Sequence, residues 1–178
     1  SRYSVMTGRM CFRTGYRGVF TGVGGPSLIE EGRLTLPGML RQKGYSTACV
    51  GKWHIGMTFQ TKDGKPAHSA KVDRTKRPAD WRDGGPELAR VGLVDFSKPV
   101  KDGPIHRGFD RFFGTACCPT TDWLYAFIDQ DRVPVPPEGQ LSHRGLPKHP
   151  YSYDNRRGLI APDFGLEEVD LTFLNMSQ

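Results

Sequence analysis

The segment that begins at Thr35 limits the possible folds more than any other part of the chain. Thr35 is suited to cap a helix that continues to Lys43, with Pro37 in its first turn and Gly44 as its end. Residues 45–50 (YSTACV) then form a short β-prone run. The order helix, glycine, strand is typical of one half of a βαβ unit, so we predict an α/β fold in which helices flank a sheet.

The residues after this predicted strand are candidates for chemistry, because ligands of open α/β sheets bind beyond the carboxyl ends of strands. Lys52 and His54 stand two positions apart, so a continuing strand would point both side chains to one side and Trp53 to the other. A lysine cation suits an oxyanion, and a histidine can move a proton near neutral pH. A Lys-x-His pair alone is more often surface decoration, so its function depends on context.

A second helix is predicted at residues 1–6, where Gly8 is placed to end it in a left-handed conformation. The following residues 9–32 are rich in glycine and are predicted to form a connection.

Much of the excess positive charge behind the net charge of +6 is local, because eight basic residues lie between Lys62 and Arg90, interleaved with Gly, Pro and Asp and without helical periodicity. We interpret this stretch as a solvated loop, and the alternative is a surface that binds polyanions. An anionic substrate fits either interpretation, and we expect no nucleic-acid partner. No apolar stretch approaches the roughly 18 residues of a membrane span.

The four cysteines show no Cys-x-x-Cys pair and no histidine at zinc-ligand spacing, so the pattern predicts neither a structural zinc site nor a redox motif. Cys49 lies in the predicted strand and is interpreted as a small buried hydrophobe. Cys11 is interpreted as structural. Cys117 and Cys118 are adjacent, and their reactivity depends on exposure. No residue of the chain is assigned as a metal ligand, since no cluster of acidic residues appears.

Three ordered segments together carry a family resemblance. Residues 1–9 (SRYSVMTGR) resemble the end of the Cys-x-Pro-Ser-Arg…Thr-Gly-Arg signature of formylglycine-dependent sulfatases. Residues 51–54 (GKWH) match the second signature of that family. Residues 107–114 (RGFDRFFG) resemble its Gly-Phe-Asp-x-Phe-Phe-Gly segment, whose aromatics we expect to pack rather than react. Residues 158–178 resemble the approach to the helix before the next catalytic strand of the family.

The resemblance implies a fold and a position within it. The fold expected is alkaline phosphatase-like, with a mixed sheet flanked by helices. Residues 1–178 would form part of a single N-terminal catalytic domain that is incomplete at both ends. The signature Cys, which becomes formylglycine, would precede Ser1, and the isolated chain would therefore be inactive.

The resemblance also implies roles for individual residues. Arg2 would steady the oxygens of the nucleophile, Lys52 would pair with the sulfate or the formylglycine, and His54 would hydrogen-bond the formylglycine hydroxyls and move a proton. Cys118 and Thr120 would lie on the rim of the substrate pocket. The family uses a divalent cation, usually calcium, whose ligands would lie mostly outside this chain.

Several alternatives stay open at the level of the sequence. The parent protein would be a sulfatase or a related phosphodiesterase or phosphonate hydrolase, and a non-catalytic polyanion-binding module is a third reading. The expected substrate is a sulfated small molecule or carbohydrate, and residues 58–104 would supply a variable pocket rim. By family resemblance the parent is expected to be secreted or periplasmic. The sequence leaves the oligomeric state open.

Overall fold

The computed structural model describes residues 1–118, 122–142, 144 and 156–164. Its α-helices are α1 (Arg2–Thr7), α2 (Leu36–Gln42) and α3 (Gly85–Val91). Its strands are β1 (Ala48–Lys52), β2 (Arg111–Thr115), β3 (Leu124–Tyr125), β4 (Ile128–Asp129), β5 (Gly139–Leu141) and β6 (Gly158–Ile160). One three-stranded sheet has the order β1-β2-β4 and the other has the order β3-β6-β5. Each sheet joins one parallel and one antiparallel pair, so the predicted mixed α/β architecture is confirmed.

The two predicted helices form, and their ends lie within one residue of the predicted ones. Thr35 precedes α2, and its side-chain oxygen accepts a hydrogen bond from the backbone nitrogen of Gly38 at 3.2 Å. Gly8 follows α1 with φ 66°, a left-handed conformation that glycine adopts without steric cost. Leu36 and Met39 of α2 are 42% and 44% exposed, so much of the apolar face of this helix has no cover among the described residues.

The strand β1 begins at Ala48, later than the sequence predicts. The backbone nitrogen of Tyr45 still donates to the carbonyl of Leu40 in α2, at 3.2 Å, and therefore belongs to the end of the helix. The side chain of Thr47 and its backbone nitrogen both donate to Asp110 Oδ2, at 2.9 and 2.8 Å, immediately before the two strands pair.

The strands β1 and β2 run parallel, with Gly51 opposite Gly114 and Lys52 opposite Thr115. The glycine pair allows an unusually close approach, because a Cβ atom on Gly114 would overlap the backbone of Gly51. This close approach fixes the position of Lys52, the next residue of β1, relative to Thr115 of β2.

The segment of residues 107–114 has a structural role. Arg107 is only 8% exposed, donates from Nε to the carbonyl of Ile29 at 3.0 Å and pairs with Asp102 at 3.1 Å. Phe112 is 1% exposed in the core, and Phe109 packs edge-on against Trp53 at 6.4 Å between ring centroids. The aromatic residues of this segment therefore pack, as the sequence predicts.

The basic stretch that starts at Lys62 is not wholly a loop, which corrects the prediction. The helix α3 begins at Gly85, with Pro86 in its first turn and Glu87 as an acidic residue near its start. Proline and an acidic residue at a helix start are favourable, and these local signals outweigh the absence of long-range periodicity. Among the described residues, no helix is long and apolar enough to cross a membrane.

Candidate active site

The predicted site lies at the carboxyl ends of β1 and β2. Beyond the last residue of β1, the backbone nitrogen of Trp53 donates to the carbonyl of Thr115 at 3.0 Å. The backbone nitrogen of His54 likewise donates to the carbonyl of Ala116 at 2.9 Å. These bonds hold the Lys52–His54 segment against the end of β2.

The prediction that Lys52 and His54 share one side of a continuing strand is wrong. The strand ends at Lys52, and His54 has φ 59°, a left-handed backbone conformation. Trp53 is 2% exposed and donates from its indole nitrogen to the carbonyl of Gly56 at 2.8 Å, which turns the chain at this point. The turn re-aims His54 instead of continuing the strand.

The three predicted catalytic residues nevertheless lie within electrostatic reach of one another. Burial lowers the pKa of His54, a hydrogen bond to the carbonyl of Phe20 opposes this shift, and the positive charges of Lys52 and Arg2 add to it. Arg2 reaches this region from α1. The charges of Arg2 and Lys52, from two distant segments, thus both act on His54, and the catalytic roles of the three residues stay predictions.

The orientation of the His54 ring is fixed by the backbone. Its Nε2 atom lies 2.8 Å from the carbonyl oxygen of Phe20, which can only accept a hydrogen bond. Nε2 therefore carries the proton, and in the neutral ring Nδ1 has a free lone pair. Because the lowered pKa favours the neutral ring, His54 offers a nitrogen acceptor near Lys52.

Sequence reasoning missed Asp122, which is 3% exposed and lies beside His54 and Cys117. Burial raises the pKa of Asp122 to about 6, against the opposing effects of a hydrogen bond from the Cys118 backbone nitrogen and the charges of Arg156 and Lys52. That backbone nitrogen donates to Asp122 Oδ2 at 2.5 Å. A single aspartate gives no local sequence signal of burial, so only the fold reveals it.

A half-buried arginine, which lies just before β6, pairs with Asp122. The guanidinium of Arg156 lies between the rings of Trp81 and Trp123, at 4.6 and 4.5 Å from their centroids. Its Nη1 atom lies 3.6 Å from Asp122 Oδ1. Stacking on two indole faces stabilises the cation, so Arg156 connects the start of β6 to the candidate site.

The cysteines occupy distinct environments. Cys117 is 4% exposed, and burial, followed by the nearby Asp122, raises the pKa of its thiol well above the usual value. Cys49 is half-buried rather than fully buried, and burial raises its pKa to about 11. Cys11 is exposed. Cys118, a predicted rim residue, is half-buried beside Asp122, whereas Thr120 lies outside the described residues.

The described residues do not fit a calcium ion. Among them, His54, Cys117 and Asp122 form the one group of three or more potential ligands that converge. Calcium takes six to eight oxygen ligands, and this group supplies a single carboxylate. The calcium implied by the resemblance would need ligands from elsewhere in the protein.

A polar cavity of about 160 Å³ adjoins the site through Phe20, whose carbonyl holds His54. Its walls include His68 and Arg90. Within the described part of the chain, the buried atoms His68 Nδ1 and Arg90 Nε have no hydrogen-bond partner. Two buried nitrogen atoms without partners beside a cavity mark it as a place where a polar group would be stabilised.

Known proteins similar to this chain are sulfatases. Mouse arylsulfatase G is 48% identical over 58 residues, which is 32% of this chain and 10% of the relative. Mouse arylsulfatase J is 38% identical over 113 residues, or 63% of this chain and 17% of the relative. The uncharacterized sulfatase YdeN of Escherichia coli is 28% identical over 142 residues, or 80% of this chain and 22% of the relative. No family model matches the chain.

A solved structure from work on glycosaminoglycan metabolism by Bacteroides thetaiotaomicron has the same fold. It superposes with a TM-score of 0.59 at 18% identity, and the match covers 99% of this chain and 36% of the solved one. The chain thus spans between 10% and 22% of the length of these curated relatives. In sequence the chain is thus similar to sulfatases over as much as 80% of its length, and it shares the fold of the solved structure.

Proposed function

We propose that the protein containing this chain hydrolyses sulfate esters, with a formylglycine nucleophile at the Cys of a Cys-x-Pro sequence preceding Ser1. The observation that carries the proposal is that the two signature segments, at Arg2 and at Lys52–His54, place positive charges that act on His54 just beyond the end of β1. The sequence similarity to named sulfatases supports the same reaction.

Each of the three residues has a distinct chemical part in the proposal. Arg2 presents a planar fork of donors that matches the oxygens of a sulfate or of an oxyanion. Lys52 contributes a fixed point charge, which stabilises negative charge as it develops on the sulfuryl oxygens. His54 donates or accepts a proton through a ring whose tautomer the Phe20 carbonyl sets.

The test of this proposal uses the parent protein, with Lys52→Ala as the variant. Removing one preorganised electrostatic partner costs about 10²- to 10³-fold in rate, so hydrolysis of a chromogenic aryl sulfate should fall by this factor. Lys43→Ala is the matched control, because Lys43 is an exposed lysine at the end of α2. Equal rates for Lys52→Ala and wild type would refute the site assignment.

The same variants separate an enzyme from a polyanion-binding module. A module that works through the basic residues 62–90 would retain salt-sensitive binding of a sulfated polysaccharide after Lys52→Ala and show no turnover. Turnover lost with Lys52, in a protein that is still folded by circular dichroism, supports the hydrolase.

We propose a sulfated carbohydrate as the substrate class. The cavity at His68 and Arg90 is lined by Phe20, the residue whose carbonyl contacts His54, and offers polar nitrogen atoms to hydroxyl or anionic groups of a sugar. An N-acetylgalactosamine-6-O-sulfatase of Bacteroides thetaiotaomicron is 35% identical over 57 residues. Arg90→Leu should therefore impair hydrolysis of a sulfated sugar more than hydrolysis of a small aryl sulfate.

A further inference from the structure

The group of His54, Cys117 and Asp122 combines three different ligand types in one buried place. One ligand atom from each residue, an imidazole nitrogen, a thiol sulfur and a carboxylate oxygen, lies within 4.8 Å of the other two. Ligand atoms around tetrahedral zinc are roughly 3.5 Å apart, as bond lengths of about 2.0–2.3 Å require. A contraction of about 1 Å would therefore bring all three into contact with one ion.

We propose that His54, Cys117 and Asp122 form a binding site for a zinc ion or a transition metal with the same ligand preference. Imidazole, thiolate and carboxylate are the three ligand types that zinc takes in proteins, whereas calcium and magnesium avoid sulfur. Three protein ligands leave the fourth tetrahedral position for water or for an oxygen of a bound anion.

Two hydrogen bonds outside the group orient the ligands. The Phe20 carbonyl accepts from His54 Nε2 at 2.8 Å and leaves Nδ1 with its lone pair. The backbone nitrogen of Cys118 donates to Asp122 Oδ2, which orients the carboxylate. Partners of this kind fix the tautomer and direction of metal ligands, and they distinguish a built site from residues that merely lie close together.

The charges balance when the metal binds. The thiol of Cys117 loses its proton to solvent, so a thiolate and the Asp122 carboxylate together neutralise a divalent ion. Without a metal, burial keeps the thiol protonated. A bound metal ion neutralises the negative charge of the thiolate, which water does not solvate in this buried place.

The site does not depend on sulfatase activity, although it shares His54 with the proposed catalytic residues. A metal ion that takes the lone pair of His54 removes the ring from proton transfer. Occupancy of the site and catalysis through His54 therefore exclude each other.

The test is titration of the parent protein with Co²⁺, because cobalt bound to a thiolate gives a charge-transfer absorption in the near ultraviolet. Wild type should show this absorption, saturating at one equivalent and reversed by excess Zn²⁺. Cys117→Ser should abolish it. Cys49→Ser, which changes a half-buried cysteine outside the group, should leave it intact.

A second variant distinguishes the loss of a metal ligand from misfolding of the Cys117→Ser protein. Asp122→Asn keeps the shape of the side chain and should weaken cobalt binding by at least about tenfold while the absorption remains visible at high cobalt. Urea should remove the absorption from wild type. The proposal fails if native wild type shows no thiolate absorption, if Cys117→Ser retains it, or if it survives unfolding.

Discussion

At the scale of single residues, His54 has the most specific environment in the candidate site. The Phe20 carbonyl holds Nε2 and leaves Nδ1 as the reactive nitrogen. In the parent protein, His54→Ala should lower kcat for aryl sulfate hydrolysis by about 10² or more, the usual contribution of a positioned proton-transfer group, with little change in KM. Added imidazole should restore part of the rate.

The exposed His106 supplies the control for this prediction. His106→Ala should keep the wild-type kcat and show no response to imidazole. A His54→Ala enzyme that loses activity without any imidazole rescue would indicate a structural role for the ring.

The burial of His68 leads us to expect that the stability of the fold depends on pH. Burial lowers the pKa of His68, Arg90 adds to this shift, and Asp102 opposes it. Below pH 6.5 the unfolded chain therefore binds more protons than the folded chain, so stability falls as pH falls from 6.5 through the folded pKa. The urea midpoint of wild type should drop between pH 7.5 and pH 5.5 by more than that of His68→Asn, and parallel curves would contradict the prediction.

The residues that sequence reasoning found and missed differ in one physical respect. Lys52 and His54 stand together in a contiguous signature, and Arg2 stands in another, so local pattern was sufficient to find them. Asp122 and Cys117 approach His54 only through the pairing of β1 with β2. The left-handed backbone of His54 and the burial of the adjacent Trp53 are likewise features that no local pattern predicts.

At the scale of elements, the contact of β1 with β2 at Gly51 and Gly114 positions the site. Gly114→Ala would drive a methyl group into the backbone of Gly51 and force the strands apart. We expect a loss of about 2 kcal/mol or more in unfolding free energy, and a larger loss of turnover in the parent because Lys52 moves with β1. Urea unfolding and aryl sulfate hydrolysis measure the two effects.

Gly103→Ala is the matched control, since a Cβ atom there makes only an ordinary contact of 3.8 Å with Met57. It should change the unfolding free energy by less than about 1 kcal/mol. Similar losses for both variants would show that the strand contact is not the cause.

The helices show which local signals suffice to predict an element. Capping residues and terminal glycines predicted α1 and α2 with nearly correct ends, because these signals act within a few residues. The start of β1 was predicted too early, since the last hydrogen bond of α2 reaches Tyr45. The helix α3 was missed because it has few apolar residues and is flanked by charged residues and glycines.

At the scale of the whole molecule, the described structure leaves several large apolar side chains in contact with solvent. Val5, Phe12 and Val19 are 67%, 71% and 71% exposed. Exposed apolar surface of this kind promotes association between molecules. The fold class was predictable from the signature segments, whereas the division into two small sheets depends on long-range pairing.

The parallel pairing of β1 with β2 also sets the order of events while the chain is being made. Thr47 and its partner Asp110 are 63 positions apart, so β1 leaves the ribosome well before β2 exists. At about 5–20 residues per second, β1 waits roughly 3 to 13 s for its partner. During that interval Lys52 and His54 belong to an unpaired strand edge, and the candidate site assembles only after more than half of this chain has been translated.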